Sequence, residues 1–467
     1  MVTIPGVPLS PVCDFLTEHT RTTRGRRGPG RGEKSVVDLR AVAREKLNWR
    51  TLREERRAQV IGGSAVGLVI LLVVMLLALA TCGGGGGSAA ENNDGRGADG
   101  SDAPPRSLAD IEISPRDGAK KVATTGALDV RVAKGKLGEV TVRDKDGGKV
   151  PGKVVKGGTA WRPDSHLATG TTYTVRAAAK DAEGRKATER STFTTLTPGE
   201  TFVGRFTPED GSTVGAGMPV SFDFNHGITN RAAVEKAISV TAEPSVEIEG
   251  HWFGNNRLDF RPEEYWKSGT KVTMDLDLNG VEGADGVYGK QRKTVSFTVG
   301  RQQVSVVDAK KKTMTVTRDG KRVRTVPITS GSAEHPTYNG KMVVSEKHKV
   351  TRMNGDTVGF GTDESKGGYD IKDVPHAMRL STSGTFIHGN YWLARSQFGQ
   401  ANGSHGCVGL FDKRGGGDKK TPGAWFYANS RVGDVVEVKN SQDRTIQPDN
   451  GLNGWNMSWD KWKAEQK

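Results

Sequence analysis

Residues 384–410, GTFIHGNYWLARSQFGQANGSHGCVGL, contain the reading that organises the rest of the chain. Gly384-Thr385-Phe386-Ile387-His388 reads as a strand, which places His388 at a strand end. Cys407 lies in the loop leading into Val408-Gly409-Leu410. A thiol attacks carbonyls as the thiolate, and a nearby imidazole can take its proton and later return it to a leaving amine. The run Ser404-His405-Gly406-Cys407, together with His388, puts one thiol near two imidazoles. A glycine just before the nucleophile lets the backbone bend so that N–H groups face a developing oxyanion. His388, His405 and Cys407 would also make a legitimate N/N/S zinc set. No second cysteine or nearby acidic pair joins them in a familiar spacing, so neither a metal nor a cofactor is expected.

Working outward, the same domain begins near Gln302. Val304-Ser305-Val306-Val307-Asp308 and Met314-Thr315-Val316-Thr317 alternate as strands around Lys310-Lys311-Lys312. Arg318-Asp319-Gly320-Lys321 reads as a hairpin turn into 323–327, and Val435-Val436-Glu437-Val438 as a further strand. Long glycine-rich connections predict a β-rich enzyme whose loops carry function. The run 412–420, DKRGGGDKK, reads as an enlarged, mobile loop.

Upstream, an internal repeat covers 107–199 and 200–300. Pro115-Arg116-Asp117-Gly118 returns as Pro208-Glu209-Asp210-Gly211, and Trp161-Arg162-Pro163 returns as Phe260-Arg261-Pro262. Gly170-Thr171 and Ser191-Thr192-Phe193-Thr194 return as Gly269-Thr270 and Val295-Ser296-Phe297-Thr298. Short alternating segments at this repeat length predict two immunoglobulin-like sandwiches, held by aliphatic and aromatic burial because no cysteine pair is present. The expected role of the pair is a stalk. The fold class is therefore all-β: two sandwiches, a β-rich domain over 301–440, and a tryptophan-rich tail over 441–467, whose indoles are expected to pack on a neighbouring module.

The first 106 residues differ in kind. Residues 60–81, VIGGSAVGLVILLVVMLLALAT, form an uncharged apolar stretch long enough to span a bilayer, with the basic side expected to stay cytoplasmic. Residues 60–82 thus read as a transmembrane or signal segment, and Cys82 after Leu79-Ala80-Thr81 as a candidate for lipidation, with 1–59 a partly disordered basic leader. Residues 83–106 are a glycine-rich flexible linker. Either form of anchor places the remainder on the outer face of the cell membrane.

The net charge of +14 over 467 residues narrows once divided, because residues 1–57 hold 13 Lys/Arg against 7 Asp/Glu. No basic stripe with interleaved aromatics occurs in the remainder, which gives nucleic-acid binding no support. The three cysteines, Cys13, Cys82 and Cys407, fall in separate segments, so no disulfide framework is expected. A monomer is the default expectation.

Phe386-Ile387-His388-Gly389, followed by Ser404-His405-Gly406-Cys407, resembles the signature of the L,D-transpeptidase (YkuD-like) catalytic domain. Trp392, Gly368-Tyr369, Gly451-Leu452-Asn453-Gly454-Trp455-Asn456, Trp459-Asp460 and Trp462 look like the membrane-anchored actinobacterial members with two immunoglobulin-like modules. The resemblance covers about residues 107–467. It implies that Cys407 attacks a peptidoglycan stem tetrapeptide, D-Ala leaves, and the amine of an acceptor stem resolves the thioester as a 3→3 cross-link. It implies His388 as general base, Gly389 as the carbonyl that orients it, and Ser404, His405 and Gly406 as support, with the Gly406 and Cys407 amides as oxyanion donors. Tyr369, Met353, Trp392 and Asn402 are the implied substrate contacts, and carbapenem-type β-lactams the implied covalent inhibitors. Gly409 departs from the Asn or Arg usual at its position. An L,D-carboxypeptidase that uses water as acceptor, and a wall-binding lipoprotein with a decayed site, are the alternatives.

Overall fold

The repeated tetrapeptides mark the same turn in each module of the computed structural model, which describes residues 105–464. Asp117 accepts the Thr192 amide at 2.7 Å through its carboxylate, and Asp210 accepts that of Ser296 at 2.9 Å. Gly118 and Gly211 follow with φ of 76° and 70°, which a Cβ would oppose. Trp161 faces Val130 across an antiparallel pair and Phe260 faces Val220, so both repeats spend the same position on core packing.

In the first module, Asp110–Ser114, Asp129–Ala133, Ala160–Pro163 and Gly152–Val155 form one sheet, and Lys136–Asp144, Thr172–Lys180 and Lys186–Thr194 the other. Val130, Trp161, Tyr173, Val175 and Phe193 fill the space between them. The second module pairs the sheet Glu249–Phe253, Arg257–Arg261, Val220–Phe224 and Gly204–Thr207 with Thr213–Val214, Arg292–Val299, Lys271–Asp277 and Ile238–Glu243. Its core is richer in aromatics, with Phe202, Phe222, Phe224, Trp252, Phe260, Trp266 and Phe297 buried.

The last module is a nine-stranded mixed sheet. In spatial order its strands are Gly340–Val343, Val435–Lys439, Gln303–Asp308, Thr313–Arg318, Lys321–Thr329, Val408–Phe411, Phe386–Asn390, Asp370–Arg379 and Glu346–Asn354. Asp319 and Gly320 both take positive φ, 46° and 77°, in the two-residue turn that pairs Arg318 with Lys321, as the hairpin reading requires. The Phe386–Asn390 and Val408–Phe411 strands run parallel, with Ile387 beside Val408 and His388 beside Gly409. This register brings the Cys407 loop level with Phe386, two positions from His388. Thr421 caps the helix Pro422–Ala428 by accepting the Ala424 amide at 3.2 Å, and that helix packs on these strands.

The tail crosses onto the second immunoglobulin-like module. Arg261 is buried there with its guanidinium over the rings of Trp455, Trp459 and Trp462 at 4.8, 5.3 and 4.2 Å. It donates to the carbonyls of Pro262, Glu263, Gly454 and Met457, and burial lowers its pKa to about 10. Residues 1–104, including the apolar segment, Cys82 and most of the linker, lie outside the described residues. Among the described residues no helix is long and apolar enough to cross a membrane.

Candidate active site

His388 sits at 3% exposure in its strand, and its Nδ1 lies 3.0 Å from the Gly389 carbonyl oxygen. A carbonyl only accepts, so Nδ1 carries the proton and Nε2 is left as the basic nitrogen of the neutral ring. Trp392 stacks on the ring, centroids 5.5 Å apart and 22° between planes, while remaining 42% exposed. Burial lowers the pKa of His388, with the Gly389 bond pulling the other way.

Cys407 is a free thiol held in its own loop. Ser404 Oγ donates to the Cys407 carbonyl at 2.6 Å, and Gly406 takes φ of 102°, which provides the bend expected before the thiol. Sγ points toward the Gly384 carbonyl at 3.7 Å, and burial pushes the thiol pKa up to about 11, opposed by a hydrogen bond from the Phe386 backbone. Burial thus disfavours the charged form of both groups, the thiolate of Cys407 and the imidazolium of His388.

Residues 355–369 connect the Glu346–Asn354 and Asp370–Arg379 strands and fold over this loop. His405 Nε2 bonds the Gly367 carbonyl at 2.8 Å, and its ring meets those of Phe360 and Tyr369 at 5.1 and 5.0 Å. His335 stacks on His405 at 5.1 Å and 17°, and also packs on Phe360. His335 and Phe360 escaped the sequence reading because they arrive from separate loops with no motif around them. The Tyr369 hydroxyl is raised to about 12 by burial and then by the charge of a Cys407 thiolate, so it stays protonated beside the thiol.

Two of the implied substrate contacts, Asn402 and Met353, lie on different elements. Asn402 spends both ends of its amide on backbone, accepting from Ser330 N at 3.1 Å and donating to Ala309 O at 3.0 Å, so it braces the loop. Met353 lies at an irregularity of the outermost strand, paired with Ile371. The Gly409 departure has a steric reason. A Cβ there would come within 2.6 Å of Thr329 Cγ2 and 3.4 Å of Asn390 Nδ2, so the Asn390 amide borders the space a longer residue would take. Asn390 uses its Oδ1 to hold the Trp392 and Leu393 amides at 3.2 and 3.1 Å.

Among the described residues no group of three or more His, Cys, Asp and Glu is placed to hold a metal ion. A cavity of 1220 Å³ lies between the immunoglobulin-like modules, and its lining includes neither Cys407 nor His388. The site is thus located by its chemistry.

His388 on one strand and Cys407 in the loop that enters the parallel strand beside it give the arrangement from which cysteine acyl transfer can run. The sequence profile of the L,D-transpeptidase catalytic domain matches residues 302–438, and that of a bacterial Ig domain matches 119–282. L,D-transpeptidase 2 of Mycobacterium tuberculosis (strain CDC 1551 / Oshkosh) is 34% identical over 354 residues, 76% of this chain and 84% of the relative. L,D-transpeptidase 5 of Mycobacterium tuberculosis (strain ATCC 25618 / H37Rv) is 30% identical over 359 residues, 75% of this chain and 76% of the relative. A solved LD transpeptidase in complex with imipenem is 28% identical and aligns over 52% of this chain and 100% of its own, at a TM-score of 0.43. The chain belongs to the L,D-transpeptidase family.

Proposed function

We propose that this protein forms 3→3 peptidoglycan cross-links through a thioester on Cys407. The observation that carries the reading is the His388 Nδ1 bond to Gly389, which leaves Nε2 as the proton acceptor one strand from the thiol. His388 Nε2 takes the thiol proton as sulfur attacks the carbonyl between the diamino acid and the terminal D-Ala of a donor stem. The Gly406 and Cys407 amides and the Tyr369 hydroxyl are the donors for the oxyanion. On collapse, the imidazolium gives its proton to the leaving D-Ala amine and the thioester remains. The side-chain amine of an acceptor stem then attacks, its proton passes to His388, and the thiol is released. The rings of His335, Phe360, Tyr369 and His405 shield the loop and favour an amine acceptor over water.

The natural partners in this reading are donor and acceptor stems in the cell-wall space, with the chain held at the outer membrane face through residues 60–82 or a lipidated Cys82. A strained β-lactam carbonyl offers the same electrophile, so a carbapenem should acylate Cys407.

The test is intact-protein mass spectrometry with a disaccharide tetrapeptide and, separately, imipenem. A covalent increase mapped to Cys407 together with a cross-linked dimer supports the transpeptidase. Shortened tripeptide alone would mean a carboxypeptidase, and no adduct on folded, reduced protein would leave a wall-binding stalk.

The acylation rate should also depend on pH in one direction. A protonated imidazole cannot accept the thiol proton, so activity is lost as pH falls through the lowered pKa of His388, with a midpoint below 6.5. The thiol at about 11 contributes no thiolate near neutrality, so the rate should be level from pH ~7 to ~9. A stopped-flow profile whose acid limb lies above pH ~7 would contradict a neutral resting pair.

A further inference from the structure

The strand beside His388 contains an unusual residue. His376 adopts φ of 53° within Asp370–Arg379, a left-handed conformation that costs a β-carbon residue energy unless its surroundings impose it. The effect is to bury the imidazole at 7% exposure, with Nδ1 2.7 Å from Asp412 Oδ2. Asp412 is itself 1% exposed. Its Oδ1 accepts from Thr421 Oγ1 at 2.7 Å and from the Lys413 amide at 2.8 Å, so both carboxylate oxygens are bonded. Gly416 takes φ of 67° against the imidazole, where a Cβ would come within 2.8 Å of Cε1, and Tyr427 packs on the ring at 5.0 Å. Arg414 reaches the same strand at Asp373, with its NH2 2.9 Å from the carboxylate. The segment 412–420, expected as an enlarged, mobile loop, is bonded to the strand beside His388 at both of these points.

The geometry at Gly389 gives the pair a purpose. A Cβ on Gly389 would come within 2.4 Å of Asp412 Oδ2, so the carboxylate lies directly against this peptide. The Asp412 amide donates to the Asn390 carbonyl at 3.1 Å, which anchors the next peptide along. Gly389 is also the residue whose carbonyl sets the tautomer of His388. We propose that the buried His376–Asp412 pair is a positioning device that clamps the Gly389–Asn390 backbone and so holds the His388 imidazole in its base-competent orientation.

Neither residue is shown to touch the thiol, so both act through the backbone. The inference rests on the thiol–imidazole reading above. It predicts loss of turnover without loss of binding, because the substrate surface is untouched while the base is misaimed.

The experiment measures imipenem acylation of the full chain, separating the maximal rate from the half-saturating concentration. His376→Phe removes the ring nitrogen and Asp412→Asn removes the charge. Each should lower the maximal rate at least tenfold, with half-saturation within twofold of wild type. His376→Asn is the rescue, because its amide nitrogen occupies nearly the position of Nδ1 and Asn tolerates positive φ. It should recover at least half of the wild-type rate. Should His376→Phe fail to fold, Asp412→Asn and His376→Asn carry the test.

Rates within twofold of wild type in both loss variants would overturn the proposal. So would equal impairment of His376→Asn and His376→Phe, or parallel losses of rate and affinity that follow the melting temperature. If wild-type protein is not acylated at all, the thiol reading fails and takes this inference with it. Normal wild-type acylation with indifferent variants overturns the clamp alone.

Discussion

Cys407→Ala is expected to reduce cross-link formation by about 10⁴-fold or more, to the level of the uncatalysed background, while leaving the fold intact. The size follows from the proposed covalent route: with no sulfur there is no thioester, and a positioned base and oxyanion donors have nothing to activate. The fold should survive because the Cys407 thiol meets only backbone, the Gly384 carbonyl at 3.7 Å and the Phe386 peptide, and its loop is held by Ser404, His405 and Asn402. Alanine is a smaller, uncharged replacement for a thiol that is already neutral at rest. The measurement is muropeptide turnover by chromatography beside a thermal melt of the same sample. Retained cross-linking in a folded alanine variant would remove Cys407 from the mechanism.

The largest stability effect is expected from Trp462→Ala. This indole is 1% exposed, donates through Nε1 to the Glu249 carbonyl at 2.9 Å, and stacks on His251 at 4.8 Å and 27°. It also covers the Arg261 guanidinium, whose Nε has no hydrogen-bond partner and whose other nitrogens bond only carbonyls. Gly454 lies so close beneath the ring that a Cβ would come within 2.5 Å of it. Truncation opens a cavity and lets water reach one side of a buried cation, at a cost of about 3–5 kcal/mol. The melting transition that includes the second immunoglobulin-like module should fall by roughly 10 °C. Differential scanning calorimetry would read it, and a shift under ~2 °C would mean that the tail does not hold the modules together.

How far the chain could be read before its fold differs by element, and the reason is physical. The repeats were legible because a turn that needs Asp at one place and Gly at the next leaves those letters in both copies, as at Asp117-Gly118 and Asp210-Gly211. The Asp319-Gly320 hairpin was legible for the same reason. His388 and Cys407 stood out in the sequence because thiol chemistry needs particular atoms near a bend, and the structure places Gly406 at positive φ just before the thiol.

The nature of 412–420 was not legible. A run of Lys, Gly and Asp has the composition of a solvated loop, and nothing local reveals that Asp412 is buried against Gly389. Asn402 was read as an implied substrate contact, and only the fold shows both ends of its amide bonded to backbone. The stack of His335, His405, Phe360 and Tyr369 is assembled from three loops, so no spacing in the sequence could report it.

Sequence alone therefore determined the order of modules and the family resemblance, and put forward one thiol and one imidazole as candidates, because each depends on residue type and short spacing. Only the tertiary structure decided which nitrogen of His388 meets the Gly389 carbonyl, which rings pack around His405, why position 409 is glycine and where the tail docks. Those depend on which atoms of distant segments come within a few ångströms of one another, and chain folding, rather than chain order, sets those distances.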